Sequence, residues 1–145
     1  MHRWFSVTVI LVLVVLATSG CLPIRSVTAS DVRSNSCDSG GNCGVFMTLK
    51  NTGAQPDTLL GGKTAVAERT ELHTMVKDDQ GGMKMAMVAD IPVPAQGSVE
   101  LKPGSLHVML FGLNKQLKEG DTFPLTLKLK NGGEMTVQVS VKAKN

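Results

Sequence analysis

The stretch "ELHTMVKDDQGGMKMAM", residues 71–87, holds one His and four Met, and "SLHVMLFG" sets His107 two positions before Met109. The chain has three His in all. His2 lies at its extreme start, so His73 and His107 are the imidazoles of the body, each with a Met within two positions. Imidazole is a borderline donor and thioether a soft one. Soft donors select Cu(I), whereas carboxylate and carbonyl oxygens suit hard ions. Zinc more usually takes Cys, His or carboxylate, and calcium and magnesium take oxygen. Two His and two Met would complete a four-coordinate site for reduced copper without a thiolate. The plain alternative is packing: Met fills irregular cores, and a lone His on a strand is often a surface residue or a satisfied core residue.

The elements that must position these residues read as strands. Leu125, Leu127 and Leu129 alternate with Thr126, Lys128 and Lys130, placing apolar and polar side chains on opposite faces. "NGG" between "DTFPLTLKLK" and "EMTVQVSVK" is a hairpin signal. No segment shows a convincing amphipathic helix of three turns. Seven or eight short strands with frequent turns predict an all-β antiparallel sandwich or small barrel. His107 and Met109 then point one way, with Val108 and Leu110 pointing into the core. "DDQGG" is the expected turn of a hairpin centred on Asp79. That register opposes His73 to Met85 and Met75 to Met83, at roughly 4.5–5.5 Å between opposed Cβ atoms.

The spacing His73, eleven residues, Met85, twenty-one residues, His107, one residue, Met109 resembles the periplasmic copper chaperone family PCuAC. The surrounding segments "GVFMTLKNTG", "GGMKM", "ELKPGSLHVMLFGL" and "LKEGDTFPLTLKL" carry the same resemblance, over roughly residues 44–142. It implies a cupredoxin-like antiparallel β-sandwich or barrel of Greek-key type. It implies Cu(I) held by His73 through Nε2 or Nδ1, by the Met85 and Met109 sulfurs and by a His107 nitrogen. It also implies a carrier, not an enzyme, that hands copper to respiratory oxidase assembly. The recipient would be the subunit bearing the binuclear copper site of cytochrome c oxidase, or its thiol assembly factors. General copper tolerance is the other family role. The family often places Met directly after its first His; here Thr74 stands there and Met75 follows. Met75 and Met83 are not the ligands that the spacing selects; they would shield the site or make transient contacts.

The N-terminus sets the compartment. "MHRW", an apolar run and "TSGC" follow the order of an export signal over residues 1–20. Thr18-Ser19-Gly20 before Cys21 resembles a bacterial lipobox, with Cys21 lipidated and holding the domain to a membrane. Ordinary cleavage nearby and a retained anchor are the competing readings; all three place the body outside the cytoplasm. Residues 21–43 read as a lipidated terminus and tether, and 44–145 as the copper-binding domain. Cys37 and Cys43 flank "DSGGN", where an oxidising compartment favours a disulfide; two free thiols or metal ligands are the alternatives. The chain carries 15 Lys and Arg against 12 Asp and Glu, and no Tyr. With no basic tract or aromatic series, nucleic-acid binding has no support, and no small-molecule substrate is indicated. Two other functions compete with the carrier. One is a non-catalytic envelope interaction module with its Met residues buried. The other is electron transfer, which would want a Cys thiolate beside two His and an axial Met.

Overall fold

Leu125, Leu127 and Leu129 are buried while Lys128 and Lys130 are exposed, as the alternation requires. The computed structural model describes residues 26–144. Among them there is no helix, and ten strands form. These are β1 (Val27–Asn35), β2 (Cys43–Asn51), β3 (Asp57–Lys63), β4 (Ala67–Lys77) and β5 (Met83–Met87), then β6 (Ile91–Val93), β7 (Gly97–Leu101), β8 (His107–Leu113), β9 (Thr122–Leu129) and β10 (Gly133–Lys142). The all-β expectation holds. From one edge the sheet order is β5, β4, β8, β2, β1, β10, β9, β3, β6, with β7 paired to β2 off this path. Pairing is antiparallel throughout except that β1 runs parallel to β10. The inward faces enclose one hydrophobic core, in which Val45, Leu59, Val108, Leu110, Phe123 and Leu125 are almost fully buried.

Two features differ from the sequence reading. Residues 27–35, inside the segment read as a tether, form β1, inserted between β2 and β10. Its period is broken by a register shift between Ser30 and Arg33, where Asp31 has φ 51°, and its exposed positions are polar, so no clean alternation marks it. The expected lipidation site Cys21 and the expected export segment 1–20 lie outside the described residues. The second difference is the hairpin register. Asp78 Oδ1 accepts from the backbone N–H of Gln80 at 3.0 Å and of Gly82 at 2.7 Å. Asp78 N–H donates to the Gly82 carbonyl at 2.8 Å, and Gly81 takes φ 80°. This side-chain-closed turn centres on Gln80, not Asp79. His73 therefore opposes Met87, Met75 opposes Met85, and Lys77 opposes Met83. The shift is two positions, so each side chain keeps its expected face.

The chain between β1 and β2 is closed by a Cys37–Cys43 disulfide, with sulfurs 2.07 Å apart. The enclosed loop is stitched to the end of β8 by Gly40 N–H to the Leu113 carbonyl and Leu113 N–H to the Gly41 carbonyl. Cross-linking a loop this short, with a sequence separation of 6, restricts the unfolded chain by about 2 kcal/mol. The Cys37→Ala/Cys43→Ala variant should lose about that much unfolding free energy in urea titration. An unchanged midpoint would show that the loop's hydrogen bonds alone hold it.

Candidate metal centre

The strand order puts β4 between β5 and β8, and the face of these three strands turned away from the core carries the donors. His73 and His107 are direct register partners across β4 and β8. Their ring centroids lie 6.0 Å apart. Val108 and Leu110, pointing oppositely, are fully buried, as the alternation predicts. Met109 is half-buried, two positions beyond His107 and opposed to Glu71. From β5, the Met85 sulfur reaches across β4 and stands 3.3 Å from His107 Nε2.

Both imidazoles are held in defined states. His107 Nδ1 lies 2.9 Å from the Ser105 carbonyl, an acceptor only, so Nδ1 carries the proton. In neutral His107, Nε2 then presents a lone pair to the Met85 sulfur. Two lone-pair donors facing each other make no hydrogen bond, yet they suit an ion between them. Tetrahedral bonds of about 2.0 Å to nitrogen and 2.3 Å to sulfur would set the two donors about 3.5 Å apart. His73 Nε2 lies 2.8 Å from Glu71 Oε2, where it donates, leaving Nδ1 as the open nitrogen. That atom is buried with no hydrogen-bond partner, a state that costs about 1–3 kcal/mol unless something binds it. Among the described residues no three of His, Cys, Asp and Glu gather into a metal-holding group. The further donor atom beside the imidazoles is the Met85 thioether sulfur.

Neighbours fix the rings in place. Glu71 also accepts from Arg69 Nε at 2.8 Å. The His73 imidazole, then the Arg69 guanidinium, holds the Glu71 carboxyl below the usual carboxylate range. Arg69 lies 4.5 Å over the Phe111 ring, and Phe111 sits 5.6 Å from His73. Phe46, from β2, sits 6.1 Å from His107. These aromatic walls help leave His73 at 7% and His107 at 6% exposure, although both lie on the outward face. Phe111 continues the two-residue period of His107 and Met109, and Glu71 precedes His73 by the same step, so both carried a local signal. Phe46 comes from a distant segment, and no local pattern marked it.

Loss of an outer partner of a ligating His typically weakens metal binding by about 10–100-fold. Glu71→Ala should weaken Cu(I) binding within that range in anaerobic competition titrations, and Glu71→Gln, which keeps an oxygen acceptor, should recover part of it. Equal affinity in all three proteins would show that Glu71 does not orient His73.

The family described as "Putative lipoprotein LpqE-like" matches residues 26–141. Cu(I)-bound DR1885 from Deinococcus radiodurans, solved in solution, is 33% identical, with a TM-score of 0.61 over 88% of this chain and 84% of that one. The chain belongs to the LpqE-like, PCuAC family. The copper-bound PCuAC domain from PmoF2, at 23% identity, shares this family's fold, with a TM-score of 0.70 over 82% of this chain and 94% of that one. Among curated relatives, "Putative lipoprotein Lxx21020" of Leifsonia xyli subsp. xyli (strain CTCB07) is 29% identical over 70% of this chain and 61% of its own length. The uncharacterized protein RP573 of Rickettsia prowazekii (strain Madrid E) is 32% identical over 72% of this chain and 58% of its own. The chain thus spans about three fifths of the length of these two relatives.

Proposed function

We propose that the domain binds one Cu(I) tightly through His73 Nδ1, His107 Nε2 and the sulfurs of Met85 and Met109, and passes it on as cargo. The observation that carries this reading is the 3.3 Å approach of a buried imidazole lone pair to a thioether sulfur. The LpqE-like, PCuAC membership supports it, as do the copper-loaded states of DR1885 and the PmoF2 domain. The site combines retention with release. The imidazoles sit behind aromatic walls, while Met85 is 40% exposed, open to the attacking thiolates of a recipient. The activity is carriage, not catalysis. The recipients we infer are the copper-site subunit of cytochrome c oxidase or its thiol assembly factors, and a lipid on Cys21 would hold the carrier at the membrane outside the cytoplasm.

The competing readings fit less well. An interaction module with buried Met residues does not account for a 40% exposed Met85 against His107. Electron transfer of the blue-copper kind wants a thiolate, and Cys37 and Cys43 are joined to each other. Anaerobic Cu(I) competition titration tests the proposal: one tight equivalent is expected, and no measurable binding would end it. Oxidation of the loaded protein should give no intense thiolate-to-copper band; a strong blue colour would favour electron transfer.

A further inference from the structure

Of the methionines in the described residues, Met47 and Met135 are core residues, 1% and 8% exposed. Packing explains them. It does not explain β5, where Met83, Met85 and Met87 are 53%, 40% and 69% exposed. Leu60 is the only other exposed large hydrophobic side chain among the described residues. These three thioethers sit at alternate positions of an edge strand, so all three share one face. Met75 on β4 joins that face, directly opposed to Met85 and diagonal to Met83. Diagonal neighbours on a sheet remain within reach of long side chains. Met75, Met83 and Met85 therefore share one patch of this face, between the two imidazoles and the tip of the hairpin. Met87 opposes His73 and lies on the other side of Met85 from Met83, away from the hairpin tip.

We propose that Met75 and Met83, with Met85 shared, form a second and weaker Cu(I) station on the hairpin, through which the ion enters or leaves the inner site. Three thioethers without an imidazole or thiolate are a soft donor set. The group is more open to solvent than the histidines, as a transit site must be. Because Met85 belongs to both sets, an ion crosses by exchanging Met75 and Met83 for the imidazoles and Met109, with the Met85 sulfur bound throughout. This rests on the carrier reading of the inner site. It adds a role for two sulfurs that the ligand spacing leaves out.

The test is a titration of the full chain, labelled with 13C at the Met methyls and held in mild non-ionic detergent, with Cu(I) under anaerobic conditions. The first equivalent should move the Met85 and Met109 methyl signals and leave Met75 and Met83 in place. The second, arriving while Met85 is held by the first ion, should move Met75 and Met83. In the Met75→Leu/Met83→Leu variant, whose side chains keep similar size at non-core positions, the first event should persist and the second should be lost. Still Met75 and Met83 signals at the second equivalent, or a second event that survives the double substitution, would overturn the station. Failure of Met85 and Met109 to move at the first equivalent counts instead against the carrier reading, so the two failures are distinguishable.

Discussion

Met85→Leu should weaken Cu(I) binding by more than about 100-fold, beyond the range for losing an outer partner of a ligand, while barely changing the stability of the metal-free protein. The two halves of that expectation come from different observations. Met85 meets His107 Nε2 at 3.3 Å, so its sulfur is a direct donor in the proposed set. It is also 40% exposed on an edge strand, so a leucine of similar size leaves no cavity. Surface substitutions of that kind usually stay within about 0.5 kcal/mol. A packing methionine would behave in the opposite way, with stability lost and affinity kept. Anaerobic competition titration and thermal melting of the same variant decide between them. His107→Ala should also abolish tight binding, but it opens a hole beside Phe46 and is the less clean test.

Asp57→Ala should destabilise the fold by about 3 kcal/mol, as expected when a charged acceptor of several hydrogen bonds is removed. Asp57 is 4% exposed at the start of β3. Its Oδ1 accepts from the N–H of Thr58 at 2.7 Å and of Asn131 at 2.9 Å, and its Oδ2 from the N–H of Gly132 at 2.8 Å. One carboxylate thus pins the β9–β10 turn to β3. The alanine leaves three N–H groups without their acceptor, and burial makes water a poor replacement. Asp57→Asn keeps one acceptor oxygen and should lose roughly half as much. Urea unfolding of the three proteins measures this; an alanine variant as stable as the parent would mean that the turn holds its shape without Asp57.

What was legible in the chain was what repeats locally. The alternation of Leu125, Leu127 and Leu129 gave their face, and the same period placed His107 and Met109 opposite the buried Val108 and Leu110. The "NGG" signal marked the β9–β10 turn, where Gly133 pairs with Leu129. The hairpin between Lys77 and Met83 was harder, because its register depends on one side chain. Asp78 closes over to Gly82 and moves the turn centre by one residue, which shifts every cross-strand partner by two. A shift of two preserves the face, so the proposed donor residues keep the expected face even though their pairing changes. β1 was missed because the irregularity between Ser30 and Arg33 breaks the period that reveals strands. Asp57 and Phe46 act through segments far away in sequence, and no local pattern could have marked them.

X-ray absorption on the protein loaded with one equivalent of Cu(I) distinguishes a shell of two imidazoles and two thioethers from any other donor set. The spectrum should show mixed ligation, with nitrogen and sulfur in the first shell. The sulfur scattering should fall in Met85→Leu and in Met109→Leu, or binding should be largely lost. Met75→Leu and Met83→Leu should leave that first shell unchanged. A shell without sulfur, or a mixed shell lost in Met83→Leu but intact in Met85→Leu, would contradict the assignment of His73, Met85, His107 and Met109.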